Sequence, residues 1–123
     1  MPTVDSATLE RLRRSTVATE DVWFLSGPTQ PGEGVVHTPV DGNPYVVGRT
    51  TGVSLKLQFR TVSGRHAALW IDDGALWLRD LGSTNGTYVN GVRLKPENEY
   101  PLSHGNIISL GKLKIQFLMQ ITQ

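Results

Sequence analysis

With 123 residues, the chain is sized for one domain with a true hydrophobic core. A formal net charge of +1 carries no global polyanion signal, which sets aside nucleic acid as the main partner. The absence of cysteine excludes a disulfide framework and thiolate metal sites, and His37, His66 and His104 are too scattered in sequence to suggest a histidine cluster.

No apolar run approaches membrane-spanning length, and the N-terminus lacks the apolar centre of a signal peptide. The expected location is therefore cytoplasmic, with no membrane partner. Glycine is abundant, at 13 residues, and helical periodicity is scarce after the first twenty positions. The expected fold class is all-β, a two-sheet β-sandwich with mostly antiparallel pairs. Residues 1–21 form a short N-terminal arm, and residues 22–123 form the sandwich domain.

Within the arm, Ala7 to Arg14 reads as a short helix with Leu9 and Leu12 on one side, capped by Ser6 or Asp5. So short a helix needs to dock on something to persist. Arg13-Arg14-Ser15-Thr16 suits a basophilic kinase, and Thr19 has acidic neighbours in Glu20 and Asp21. A solvated tail is the preferred reading of both. The first strand is expected at Val22 to Leu25. A loop-rich stretch to Pro44 follows, with a short strand at Val35-Val36. Tyr45 to Arg49 is the second clear strand, and Leu55 to Gln58 another short one.

Two hairpins follow. Asp73-Gly74, as a two-residue turn, pairs Leu69 with Leu78, Trp70 with Trp77 and Ile71 with Leu76. Leu69, Ile71, Leu76 and Leu78 then share the core face. Trp70 and Trp77 share the other face, as a sheet-stiffening pair contributing roughly 0.2–1 kcal/mol or as a partner surface; the first reading is preferred. Asn90-Gly91 pairs Val89 with Val92 and Tyr88 with Arg93, with the valines expected inside. Leu102, Ile107, Ile108 and Leu110 are expected to continue the sheet past a turn at His104-Gly105. From Lys112 to Gln120, Leu113, Ile115, Phe117 and Met119 are expected to face inward.

The charges are segregated. Between Gly42 and Ile71 there is no acid, while Arg49, Lys56, Arg60 and Arg65 all fall there. Beyond it lies Leu81-Gly82-Ser83-Thr84-Asn85-Gly86-Thr87, a turn rich in hydroxyls and candidate backbone donors. A compact dianion needs this combination: a phosphate monoester carries about −1.5 to −2 charges at pH 7 and three strong acceptor oxygens. Arginine supplies a matching fork of donors.

Val47-Gly48-Arg49, then Val62-Ser63-Gly64-Arg65-His66-Ala67, then the Gly82 to Thr87 turn resemble, in order and spacing, the forkhead-associated (FHA) domain. The resemblance covers residue 22 to the C-terminus. It implies a non-catalytic module that binds phosphothreonine peptides through loops at one end of a sandwich. It further implies that Arg49 bonds the phosphate, Ser63 gives it a hydroxyl, Thr84 walls the site and Asn85 bonds the peptide main chain. Gly48, His66 and Gly86 are implied as architectural support. Many family members carry arginine directly after the serine. Here that position is Gly64, which offers only its N–H, with Arg65 one residue further on. Arg60 or Thr61, in the loop before the serine, are candidates for specificity.

The implied partner is a phosphothreonine protein made by a Ser/Thr kinase, or the chain's own arm phosphorylated at Thr16 or Thr19. No cofactor or metal is implied. Ser63, His66 and Asp72 or Asp73 include the residue types of a hydrolase triad. Yet no Gly-x-Ser-x-Gly elbow surrounds the serine, and the Gly-x-x-x-x-Gly-Lys phosphate loop is absent. The serious alternative is a domain of the same fold that binds its partner independently of phosphate.

Overall fold

The computed structural model describes residues 22–111 and 118–122. The expected helix in the arm, with Thr16 and Thr19, lies outside the described residues. So does the facing pattern expected for the side chains of Lys112 to Gln120.

The described strands are β1 (Phe24–Gly27), β2 (Val36–Pro39), β3 (Tyr45–Gly48), β4 (Leu55–Lys56), β5 (Ala67–Asp72), β6 (Ala75–Asp80), β7 (Thr87–Val89), β8 (Val92–Arg93), β9 (Tyr100–Leu102), β10 (Ile107–Leu110) and β11 (Leu118–Thr122). They form a six-stranded sheet, ordered β2-β1-β11-β10-β7-β8, and a five-stranded sheet, ordered β4-β3-β5-β6-β9. The expected all-β sandwich is present. β3 and β4 pair in parallel, and the other described pairs are antiparallel.

Leu69, Leu76 and Leu78 from one sheet meet Leu25, Ile108, Leu110 and Ile121 from the other, and all seven are buried. Each such side chain stabilises the fold by roughly 1.5–3 kcal/mol relative to exposure. The β5–β6 register is the expected one, with Leu69 opposite Leu78 and Trp70 opposite Trp77. Asp73 and Gly74 take φ of 53° and 78°, the left-handed values that a tight hairpin turn demands. Ile71 is only half-buried, packed at the margin of the core.

Trp70 and Trp77 lie on the outer face with ring centroids 6.4 Å apart and planes 15° from parallel. Both are half-buried. Arg79 covers Trp70, its guanidinium carbon 5.8 Å from the ring centroid, and its Nε is 3.8 Å from Glu97 Oε1. A groove of about 330 Å³ beside them is lined by Asn43, Pro44, Ala68, Trp70, Arg79 and Glu99.

Several expectations are corrected. β1 begins at Phe24 rather than Val22, because its partners run from Phe24–Pro39 to Gly27–Val36. Trp23 instead points its indole N–H at Gly74 O, 3.2 Å away. Val35 stays outside β2 and is 67% exposed. β4 stops at Lys56, since Leu57 N donates to Gly48 O and Gln58 N to Thr29 O rather than to one neighbouring strand. Val92 pairs with Val89 as expected but is 67% exposed, not inside. It sits on β8, at the edge of its sheet. Leu102 and Ile107 do not continue one sheet: β9 pairs with β6, while β10 pairs with β7 and β11. The turn at His104-Gly105 therefore carries the chain across the sandwich.

Candidate functional site

Three connections meet at one end of the sandwich: the β3–β4 loop after Gly48, the segment 57–66 before β5, and the loop 81–86 between β6 and β7. Backbone bonds join the first two. Arg49 N donates to Ser63 O at 3.0 Å and Thr50 N to Gly64 O at 3.2 Å. The approach is so close that a Cβ on Gly48 would stand 2.0 Å from Gly64 O. No side chain fits there, which is why β3 must end in glycine.

His66 joins the second and third connections. It is completely buried. Its Nδ1 accepts from Ser63 N at 2.9 Å, and its Nε2 lies 2.8 Å from Gly86 O. A carbonyl can only accept, so the proton sits on Nε2 and the ring that satisfies both bonds is neutral. Burial lowers its pKa from the ordinary 6.5, against smaller opposing effects from the Gly86 carbonyl and the Asp80 charge. The unfolded chain therefore binds the extra proton more readily than the folded one. Stability is full above about pH 6.5 and falls as the pH drops from there towards the folded-state value. Urea unfolding at pH 7.5 and 5.5, with His66→Gln for comparison, should show a lower midpoint in acid for the wild type and a smaller change for the variant. Equal midpoints for the wild type at the two pH values would contradict the assignment.

Asp80, at the end of β6, organises the third loop, and the sequence reading missed it. Its carboxylate is buried. Oδ2 accepts from Gly82 N at 3.0 Å and Ser83 N at 3.1 Å; Oδ1 accepts from Ser83 Oγ at 2.5 Å and Thr87 Oγ1 at 2.7 Å. Burial on its own pushes the carboxyl pKa up. The bonds from Ser83 and Thr87 outweigh that and hold it below the ordinary 3.8. The missed signal is an aspartate two and three residues before the amides it accepts from, the pattern of an Asx turn. Ser83, named in the sequence only as one hydroxyl of the turn, links Asp80 to the next turn by accepting from Gly86 N at 3.0 Å.

The loops so fixed bring most of the sequence-predicted site residues to one rim. Arg49 is exposed, and its Nε donates to Val62 O at 2.9 Å. That bond leaves the two terminal amino groups of the guanidinium for a ligand. A cavity of about 280 Å³ opens beside it, lined by Arg49, Thr50 and Gly64. Ser63 Oγ accepts from Thr84 N at 3.0 Å, which leaves its hydroxyl proton to donate elsewhere. Asn85 Nδ2 donates to Thr61 O at 3.0 Å, which leaves Oδ1 as an acceptor. Gly86 takes φ of 90°, and its carbonyl also accepts from Gly111 N.

Arg60 and Arg65 are exposed. Thr61 differs from its expected role: its hydroxyl is buried without a hydrogen-bond partner, and a Cβ on Gly111 would stand 2.6 Å from it. Only its carbonyl serves the site, by holding Asn85. Among the described residues no three His, Cys, Asp or Glu side chains come together as a metal site, and no helix is long and apolar enough to cross a membrane.

The chain resembles known proteins over this part of its length. It is 41% identical over 79 residues to the oxoglutarate dehydrogenase inhibitor of Corynebacterium efficiens, a match covering 64% of this chain and 54% of that protein. It is 35% identical over 79 residues to the probable E3 ubiquitin-protein ligase dma1 of Schizosaccharomyces pombe, covering 55% of this chain and 30% of that protein. The matches thus span about half, or less, of these relatives. Among solved structures, one determined in a study of phosphothreonine-dependent FHA domain interactions superposes with a TM-score of 0.69 at 26% identity, over 83% of this chain and 96% of that one. The family model described as the FHA domain matches residues 45–111, from the start of β3 to just past β10, and so takes in all three connections that meet at the rim. The chain belongs to the FHA domain family, interaction modules that generally, though not in every member, bind phosphothreonine peptides.

Proposed function

We propose that this chain recognises a phosphothreonine in a partner protein through Arg49, Ser63, Gly64, Thr84 and Asn85, with Arg65 beside them. The observation that carries the reading is the state of Arg49: Nε is held by Val62 O, and the side chain lines a cavity with Thr50 and Gly64. A guanidinium fixed in this way loses little freedom when it grips a phosphate. Ser63 adds a hydroxyl donor, and Asn85 Oδ1 accepts a peptide N–H. Gly48, His66 and Gly86 hold these groups in place. The partner is a Ser/Thr kinase product, and the folded unit is residues 22–123.

Calorimetric titration with a degenerate phosphothreonine peptide pool and its dephosphorylated twin tests the reading. Binding to the phosphorylated pool alone is expected. Equal binding to both pools would favour phosphate-independent association through the same fold. If neither pool binds the full chain, and the pool binds once Thr16 and Thr19 are both replaced by alanine, the site is occupied by the chain's own phosphorylated arm.

Gly64 allows a sharper test. Its φ lies outside the left-handed region, and a Cβ there would meet only Thr50, at 3.5 Å or more. Gly64→Arg is therefore sterically permitted and adds a guanidinium beside the cavity. A charge-assisted bond at a solvated rim contributes about 1 kcal/mol, so phosphopeptide affinity should rise about fivefold. Unchanged or weaker affinity would show that position 64 does not face the phosphate.

A further inference from the structure

Next to Asn85, at Gly86, lies a second cation that the proposed phosphate recognition leaves unused. Arg93, on edge strand β8, is exposed, and its guanidinium carbon lies 6.0 Å from the centroid of the Tyr88 ring. Its Nε would stand 2.6 Å from a Cβ on Gly86, the residue that follows Asn85. Tyr88 is itself tied to Asn85, its hydroxyl donating to Asn85 O at 3.4 Å. The bare backbone of Gly86 and the face of Tyr88 thus hold the guanidinium next to Asn85.

Among the described residues, no carboxylate pairs with Arg93. Leu81 to Pro96 contains no Asp or Glu, and neither does Gly42 to Ile71. Asp80, the nearest acid before the loop in sequence, is buried and taken up by Gly82, Ser83 and Thr87. The Arg79–Glu97 pair lies on the outer face of the other sheet. Thr61 O holds Asn85 Nδ2, so the segment bearing Arg60 also borders the asparagine. A peptide bonded to Asn85 therefore lies between two segments that carry arginines and no carboxylate.

We propose that Arg93 is a specificity contact that reads an acidic side chain on the bound segment, flanking the phosphothreonine where the segment crosses Asn85 and Gly86. The proposal rests on the phosphothreonine reading above. Tyr88 backs one side of the guanidinium, and the exposed edge is free to take a carboxylate in a bidentate grip. Gly86 contributes by having no side chain to displace the arginine.

The test is a set of phosphothreonine peptides carrying Asp, Ala or Lys at each flanking position in turn. Binding is measured by fluorescence anisotropy to the wild type and to Arg93→Met, Arg93→Gln, Arg60→Met and Arg49→Ala, at about 50 mM and about 300 mM salt. The wild type is expected to prefer Asp over Ala by about fivefold at one flanking position, less so at the higher salt. Both Arg93 variants should bring that ratio close to one, and Arg60→Met should leave it standing. Arg93 is exposed and both replacements keep its stem, so thermal melts should match the wild type. The proposal is overturned if phosphate-dependent binding shows no acidic preference at any position. It is also overturned if the preference survives in both Arg93 variants, or if only Arg60→Met removes it. If Arg49→Ala and the dephosphorylated peptides bind as the wild type and phosphopeptides do, the phosphothreonine reading falls, and this one with it.

Discussion

Arg49→Ala should weaken phosphothreonine-peptide binding by on the order of 100-fold, a loss of about 3 kcal/mol. The magnitude follows from what is removed. In the proposed complex the terminal amino groups would donate charge-assisted bonds to a dianion, each contributing about 1.5–3 kcal/mol, and some of that would be recovered by water entering the open rim. The variant should fold. The side chain is exposed, and the backbone bond from Arg49 N to Ser63 O survives the truncation, so only the bond from Nε to Val62 O is lost. Calorimetry with one phosphopeptide checks the affinity and a thermal melt checks the fold. A loss below about threefold in a normally folded variant would mean that the phosphate is held elsewhere.

The second large effect is on stability. Asp80→Ala leaves two backbone amides and two hydroxyls without the carboxylate that now accepts from them. The hydroxyls can rotate towards other acceptors, but the amides cannot. The expected cost is about 3 kcal/mol, or roughly 15 °C in Tm for a domain of this size. The depressed pKa sets the direction in acid. The ionised form of Asp80 is the one the fold favours, so its contribution is present above the ordinary value near 3.8 and is lost as the pH falls through the lower folded-state value. The gap in stability between wild type and variant should therefore narrow as the pH falls below 3.8. Melting within about 2 °C of the wild type at neutral pH would sink the assignment. Because Ser83 and Gly86 hang on the same carboxylate, Thr84 and Asn85 should lose their fixed positions too, and phosphopeptide binding should weaken along with Tm.

Asp80 also shows where sequence reading fell short. Period-two alternation puts Asp80 on the inward face with Leu76 and Leu78, but an aspartate at the end of the run reads as a strand terminus, and the alternation does not say which groups its carboxylate meets. Its local signal, the spacing to the amides of Gly82 and Ser83, was present but is shared by many surface turns. Thr61 is a second case. A threonine in a polar loop looks available to a ligand, yet its hydroxyl is buried against Gly111, fifty residues away in the chain.

What the sequence determined by itself is what depends on neighbours a few residues apart. Asp73-Gly74 and Asn90-Gly91 adopt left-handed backbone at little cost, so both hairpins and their registers were legible in advance. The period-two pattern around Leu69 to Leu78 named the core face of β5 and β6 for the same reason. The three short motifs placed the rim residues by resemblance alone. Only the tertiary structure decided what depends on distant partners. Alternation shows that Val89 and Val92 share a side, but not that Val92, on edge strand β8, stays exposed. It cannot show that β9 and β10 belong to different sheets, because either pairing buries Leu102 and Ile108. The protonation state of His66 is likewise a tertiary outcome: it rests on one bond to Ser63, three residues away, and another to Gly86, twenty residues away, and on complete burial between them.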